Sequence, residues 1–241
     1  MFPLALLNDF DGSVLSTDPA LTLVLLHFTG TEGSTTFTDS SPIPYTFTNT
    51  DGVTVSSAEI KSGFGSNGFF NNPVKETAPY RYLKTNVVAP DLGNTDFTIE
   101  FLVYRIPRAG AEVVETVFFS AFANAGACYQ VSVNNTTHVV RADVFSDGFA
   151  HQNTLSFNVL HHIALVRDGL NFNIYIDGVK STTTKTLLQP VIDTHVPNQV
   201  LAVGGSSGST LVLNGYMDEF RIRKEAIYKT NFTPPTAPFT F

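Results

Sequence analysis

The sequence predicts an all-β protein built as an antiparallel β-sandwich, and three observations predict it. The segment 96–104 alternates large apolar residues with polar ones, a period of two that a half-buried strand requires. Segment 172–176 repeats this alternation and ends in Asp177-Gly178, a dipeptide that favours a hairpin turn. No window of a dozen residues carries apolar positions at helical spacing. A sandwich core lined by aromatic residues follows from this pattern.

Short strands with turn residues between them recur along the chain, and this spacing is typical of a sandwich or jelly roll. The predicted strands are 21–28, 63–70, 80–88, 97–104, 114–121, 129–133, 139–145, 162–166, 172–176, 201–205 and 214–222. The only candidate helix is one turn at 224–229, directly after the last strand.

We divide the chain into three parts. Residues 1–20 hold three aspartates and two prolines with no sustained period, which indicates an extended N-terminal arm. Residues 21–232 form the sandwich. Residues 233–241 contain three prolines, which lack the N–H group that an interior strand needs, so they form a C-terminal tail along an edge or on a partner. Both arms are expected to dock on neighbouring subunits.

Composition excludes several classes of function. The net charge of −7 and only 14 basic residues disfavour nucleic-acid binding, which depends on neutralising phosphates. The apolar run 21–28 is shorter than the about 20 residues that span a bilayer, so we expect no membrane insertion. The first residues lack the positive charge of a secretory signal, so synthesis in a cytoplasm is expected.

Taken in order, several segments resemble the laminin-G-like domains of the concanavalin A-like lectin/glucanase superfamily, as found in bacteriophage virion proteins. The matching segments are Leu25-Leu26-His27-Phe28, Phe37-Thr38-Asp39-Ser40-Ser41, Asp96-Phe97-Thr98-Ile99-Glu100-Phe101, His161-His162-Ile163-Ala164-Leu165-Val166-Arg167, Asp177-Gly178, Gly215-Tyr216-Met217-Asp218-Glu219-Phe220-Arg221-Ile222 and Asn231-Phe232-Thr233-Pro234-Pro235. The resemblance implies two antiparallel sheets of concanavalin A-like jelly-roll type, with binding at the loops of one rim or on the concave face.

The chain departs from this family's pattern at aromatic positions. Leu102 and Leu160 stand where tryptophans are usual, and the chain has no tryptophan at all. Because tryptophan is the preferred flat platform for a sugar ring, a glycan site here would use tyrosine or phenylalanine. The candidate ligand-binding residues, each at a strand position where an aromatic side chain with a polar tip could line a groove, are Tyr80, Tyr82, Tyr104, Tyr175 and Tyr216. The alternative is that they are half-buried packing residues.

We expect no cofactor, and a structural calcium ion, which many domains of the family it resembles hold, is the alternative. Asp39 and Asp218 match positions where its oxygen ligands occur, although Thr29 replaces the usual aspartate after the first strand. The alternative is that Asp39 caps the turn at Ser40-Ser41 and that Asp218 lies on the polar side of a strand.

A glucanase and a zinc site are both disfavoured. A glucanase needs two carboxylates flanking the scissile bond, and no predicted strand presents them at alternating positions, so we expect no enzymatic activity. His161 and His162 are adjacent on a strand and point to opposite faces, so they cannot share one zinc ion. We expect one of them to be core-facing and hydrogen-bonded and the other exposed.

These features predict a non-enzymatic protein on the surface of a bacteriophage virion. The first interpretation is a capsid decoration protein that contacts neighbouring virion subunits through its arms. The alternative is a tail fibre or tail-tip protein that recognises a host glycan. A homo-oligomer, with a trimer as the natural form, would cover apolar surface that the arms leave exposed.

Overall fold

The computed structural model describes residues 16–58, 64–73, 78–87, 89–109, 114–123, 126–145, 147–188 and 200–241, with side chains described throughout these ranges except at 122–128. Its strands are β1 (Thr22–Leu26), β2 (Phe47–Thr50), β3 (Thr54–Ser56), β4 (Asn67–Phe70), β5 (Tyr82–Thr85), β6 (Phe97–Arg105), β7 (Glu115–Ala123), β8 (Gly126–Asn134), β9 (Val139–Val144), β10 (Asp147–Thr154), β11 (Leu160–Asp168), β12 (Asn171–Ile176), β13 (Val179–Lys180), β14 (Lys185–Thr186), β15 (Val200–Val203) and β16 (Gly215–Arg223). A 3₁₀ turn at Pro19–Leu21 precedes β1.

The strands form two antiparallel sheets, which confirms the predicted sandwich. The first sheet has the order β13-β12-β11-β6-β16-β4-β3, with β1 also paired to β16 and β14 to β12. The second sheet has the order β10-β9-β8-β7-β15-β5-β2. The first and last strands of the chain are therefore neighbours in the first sheet.

The predicted alternation in β6 places the core. Phe97, Ile99, Phe101 and Val103 all belong to the main buried cluster between the sheets. Their neighbours on β6 point away from this core, toward the outer face of the first sheet. This outer face carries the residues described in the next subsection.

The segment after β16 is not helical, so the predicted turn of helix at 224–229 is wrong. Two hydrogen bonds hold the backbone extended against β6: Thr98 Oγ1 donates to the Glu225 carbonyl (2.7 Å) and accepts from the Ile227 N–H (2.9 Å). Ala226, Ile227 and Tyr228 then pack on Ala164, Val166 and Tyr175 in a second apolar cluster. Burial against a sheet has outweighed the local signal for a helix.

Residues 224–241, here called the C-terminal segment, cover much of the first sheet's outer face. Phe232 lies against Tyr175 and His162, and Phe239 is only 5% exposed. The tail was expected along an edge or on a partner; Phe239 and Thr240 instead contact the outer face of their own domain. Of the N-terminal arm, residues 1–15 lie outside the described residues, and Ser16 N–H donates to Glu225 (3.0 Å). No described helix is long and apolar enough to cross a membrane.

Candidate functional site

Three aromatic side chains form a row across neighbouring strands on the outer face of the first sheet. Tyr216 of β16 stacks on Phe69 of β4 with ring centroids 4.7 Å apart and an interplanar angle of 21°. On its other side it meets Tyr104 of β6 edge-on at 5.9 Å. All three rings are partly exposed. We call Phe69, Tyr104 and Tyr216 the aromatic ladder.

Strand register explains why these residues meet. Tyr216 is directly opposite both Phe69 and Tyr104, and residues opposite each other in a sheet point to the same face. Gly215 allows the close approach of β16 to β6, because a Cβ atom at that position would lie 2.0 Å from the Tyr104 carbonyl oxygen. Leu160 of β11 is opposite Tyr104 and continues the row. The aromatic ladder therefore results from the alternation of side chains along each strand and from the register between the strands.

Asp218 lies next to the ladder on the same face. It is two residues beyond Tyr216 on β16 and directly opposite Leu102, whose neighbours Phe101 and Val103 point into the core. The residue is only 6% exposed. Burial, reinforced by the charge of Glu219, raises the pKa of Asp218 to about 9. Among the described residues, Asp218 has one hydrogen bond, in which its Oδ1 accepts from the Glu219 backbone N–H (2.9 Å).

A β-bulge directly follows Asp218. Glu219 and Phe220 together oppose Phe101, and Glu219 has a left-handed backbone with φ of 52°. The Glu219 carboxylate is fully buried; Oε1 lies 2.8 Å from His27 Nδ1, and Oε2 accepts the Phe239 N–H (2.6 Å). Residues whose surroundings hold the backbone in a sparsely populated conformation are frequent at binding and catalytic sites.

Beneath the C-terminal segment lies a buried polar cluster made of Glu100, His162, Arg221 and Tyr228. Glu100 Oε1 accepts from Arg221 Nε (2.9 Å), while Oε2 is 2.9 Å from His162 Nε2 and accepts from Tyr228 Oη (2.8 Å). Burial alone would raise the pKa of Glu100, but Arg221 and His162 outweigh it and lower that pKa to about 2. Every member of this cluster is engaged by another, so it anchors the C-terminal segment.

The structure brings together two of the five predicted tyrosines, Tyr104 and Tyr216. Tyr175 lies on the same face but is fully buried, and its hydroxyl donates to the Tyr228 carbonyl (2.9 Å) under the C-terminal segment. Tyr82 and Tyr80 lie at the second sheet, packed with Ala202 and Val212.

The two predicted calcium ligands differ in their surroundings. Both carboxylate oxygens of Asp39 accept backbone N–H groups, Oδ1 from Leu25 and Ser41 (both 2.9 Å) and Oδ2 from Tyr45 (2.8 Å). N–H groups that point at a carboxylate occupy the directions a cation would take, so Asp39 fits the turn-capping alternative better than a calcium site. No group of three acidic, histidine or cysteine side chains suited to a metal occurs among the described residues.

The expectation that one of the adjacent histidines is exposed is wrong. His162 is buried and bonded to Glu100, but His161 is not exposed: it is 8% accessible, with Nδ1 2.7 Å from Asp177 Oδ2. Asp177, at the turn after β12, holds both residues because its Oδ1 also accepts the His162 N–H (2.9 Å).

Sequence reasoning missed Phe69 and Glu100. Phe69 was placed in a predicted strand, and its position next to the core residue Phe70 was the signal that it faces outward. Glu100 was assigned to the polar side of its strand, but nothing local indicated that Arg221 and the distant Tyr228 would enclose it.

Comparison with solved structures shows the same fold in binding domains. The binding domain of Paraclostridial Mosquitocidal Protein 1 superposes with a TM-score of 0.58 at 17% identity, covering 86% of this chain and 50% of that one. The binding domain of botulinum neurotoxin serotype D gives a TM-score of 0.60 at 9% identity, covering 88% and 50%. This chain therefore spans about half the length of these two toxin domains.

A third similar structure is domain 4 of an extracellular arabinanase from Geobacillus stearothermophilus, in complex with arabinotriose. Its TM-score is 0.54 at 17% identity, with coverage of 78% of this chain and 86% of that one. No curated protein sequence matches the chain. A laminin-G family model described as the concanavalin A-like lectin/glucanases superfamily matches residues 77–230, well over half of the chain. With this match and the two-sheet topology, the chain belongs to the concanavalin A-like lectin/glucanase superfamily as a laminin-G-like domain.

Proposed function

We propose that this domain binds a glycan without cleaving it, and that the aromatic ladder is the surface against which a sugar ring packs. The observation that carries the proposal is the row of Phe69, Tyr216 and Tyr104 on one sheet face, partly open to solvent. An apolar surface with a few polar groups at its border is the usual composition of a small-ligand site. The tyrosine hydroxyls supply that polar border.

The fold relatives support this proposal. An arabinanase domain of the same fold was solved in complex with arabinotriose, and the two toxin domains are described as binding domains. The shared fold alone does not transfer their ligands to this chain. The argument for a glycan rests on the ladder itself.

A binding role, rather than catalysis, fits the carboxylates near the ladder. Glycoside hydrolysis requires two carboxyl groups free to act on the same bond. Glu100 is enclosed by Arg221, His162 and Tyr228, and Glu219 by His27 and the Phe239 N–H. Asp218 would have to act alone. Release of reducing ends from a bound glycan by the wild type, and its loss in Asp218→Asn, would contradict the binding role.

We place this activity on a bacteriophage virion, as the resemblance of the ordered segments suggests. The decoration role relies on arms that reach neighbouring subunits, whereas Phe239 and Thr240 contact their own sheet. Because the C-terminal segment is used within its own domain, we propose the attachment role, in which a tail protein recognises a host glycan. Immunogold labelling of particles tests this: label at the tail is expected, label spread over the shell would favour decoration, and no label on particles would exclude a virion setting. Trimer formation stays a prediction.

The binding proposal is tested by glycan-array screening followed by titration calorimetry. Tyr216→Ala is expected to weaken binding by at least about 2 kcal/mol, roughly 30-fold, because it removes the central ring of the ladder. Tyr80→Ala is the matched control, since it removes a partly exposed tyrosine at the other sheet. Both variants are first compared with the wild type by thermal melting. Equal affinity in folded Tyr216→Ala and wild type would refute the ladder as the site.

A further inference from the structure

Asp218 is an acidic side chain placed beside the aromatic ladder with unused bonding capacity. It shares the outer face with Tyr216 and Tyr104, and it lies two residues beyond Tyr216 on β16. At 6% exposure it is more than nine-tenths buried, yet among the described residues only the Glu219 N–H donates to it, and that bond goes to Oδ1. No described group donates to Oδ2, so one oxygen of the carboxyl group is left for a ligand.

The basic side chains on this part of the outer face are committed to other partners. Arg221 and His162 both engage Glu100, and Arg221 also donates to the Thr240 carbonyl (2.6 Å) and stacks on the Phe239 ring at 4.7 Å. His27 is paired with Glu219. No described side chain forms an ion pair with Asp218, and the adjacent Glu219, whose charge raises the pKa of Asp218, is also an acid. The local field is therefore suited to a positive group supplied from outside.

Aromatic rings beside a carboxyl group are a recognition surface for cations. The face of a tyrosine or phenylalanine ring attracts an ammonium group through its quadrupole, by about 0.5–2 kcal/mol according to its desolvation. A carboxylate at the border of the rings adds a charge-assisted hydrogen bond with directional preference. A neutral sugar would use the rings but would supply no cation to ionise Asp218.

We propose that the sugar bound at the aromatic ladder carries a free amino group, which contacts Asp218 while the sugar ring packs against the exposed part of Tyr216. This inference rests on the proposed glycan-binding function and names its ligand class, amino sugars with an unacetylated amine. The ammonium group stabilises the ionised form of Asp218, which the free domain holds protonated, and gives Oδ2 a donor. Acetylation of the amine removes the charge and leaves only the stacking contact.

A broad glycan array is screened first. The test then compares soluble oligomers of glucosamine, N-acetylglucosamine and glucose that share one backbone linkage. Titration calorimetry is run on the wild type, Asp218→Asn and Tyr216→Ala. Asp218→Asn keeps the size of the side chain and removes its charge, so it separates recognition of the amine from stacking. The wild type is expected to prefer the glucosamine oligomer at least about tenfold, and Asp218→Asn to lose that preference while its affinity for any neutral oligomer stays within about twofold.

The outcomes separate the two proposals. Equal binding of all three oligomers by the wild type, lost in Tyr216→Ala, would overturn the amine inference and leave glycan binding intact. A preference for glucosamine that persists in Asp218→Asn would overturn the role of Asp218. Binding to no glycan on the array would overturn the proposed function itself.

Discussion

Gly178 and Phe232 lie in backbone contact, and this contact ties the C-terminal segment to the turn between β12 and β13. The Phe232 N–H donates to the Gly178 carbonyl (2.9 Å), and a Cβ atom at Gly178 would lie 1.8 Å from the Phe232 carbonyl oxygen. The Asp177-Gly178 dipeptide therefore has two roles. It turns the chain with positive φ at both residues, and it leaves room for the C-terminal segment.

Gly178→Ala is expected to destabilise the domain more than Gly169→Ala. Both glycines have left-handed φ values, 77° and 61°, so both substitutions incur the roughly 1–2 kcal/mol cost of that conformation. Only Gly178→Ala also displaces Phe232, because no atom lies within 4 Å of a Cβ at Gly169. Denaturant unfolding monitored by circular dichroism measures the free energy of unfolding of both variants. Equal losses would show that the contact with Phe232 does not hold the C-terminal segment.

Asp218→Asn is expected to stabilise the domain at alkaline pH and to flatten its pH profile. The folded pKa of about 9 lies far above the ordinary aspartate pKa of 3.8, so between these values the folded state holds a proton that the unfolded chain releases. Stability contributed by this group therefore falls as pH rises from about 4 to about 9, by on the order of a few kcal/mol. Melting of both proteins at pH 5 and pH 8.5 measures the difference. Parallel profiles would contradict the raised pKa.

Glu100→Gln is expected to lower the free energy of unfolding by about 3–5 kcal/mol, because it leaves the charge of Arg221 buried without its partner. The control is Asp143→Asn, which breaks the exposed pair of Asp143 with Arg141 and should cost less than about 1 kcal/mol. Urea unfolding compares the two. In the wild type, the stabilisation from Glu100 is present above its unfolded pKa and is lost as pH falls from about 4 toward 2. A cost for Glu100→Gln no larger than for Asp143→Asn would show that the C-terminal segment is anchored elsewhere.

Asp39→Ala is expected to destabilise the domain by about 1–3 kcal/mol with or without calcium, because three backbone N–H groups lose their acceptor. Melting temperatures of the wild type should be the same in millimolar calcium and in chelator. A rise in the wild-type melting temperature with calcium that Asp39→Ala abolishes would instead establish Asp39 as a ligand.

The parts of the fold that depend on local pattern were predictable, and the parts that depend on distant contacts were not. The alternation of β6 fixed which residues face the core, because a strand exposes each side chain to one face or the other. The non-helical path of 224–229 depends on Thr98, more than a hundred residues away, which no local pattern records. The burial of Tyr175 and the exposure of Tyr216 likewise depend on where the C-terminal segment lies. Tyrosine positions alone could not separate the two.

The pairing of β1 with β16 has a consequence for biosynthesis. Val24 is opposite Ile222, so the strand that emerges early from the ribosome waits for nearly the whole domain to be translated before its partner exists. At 5–20 residues per second this delay is about 10–40 s. During it the apolar side chains of Val24 and Leu26 have no sheet to join, and the nascent chain depends on chaperones or on transient collapse to keep them from other polypeptides. Folding of this domain is thus expected to be completed near the end of its synthesis, and a translational stall before Ile222 would leave an aggregation-prone chain.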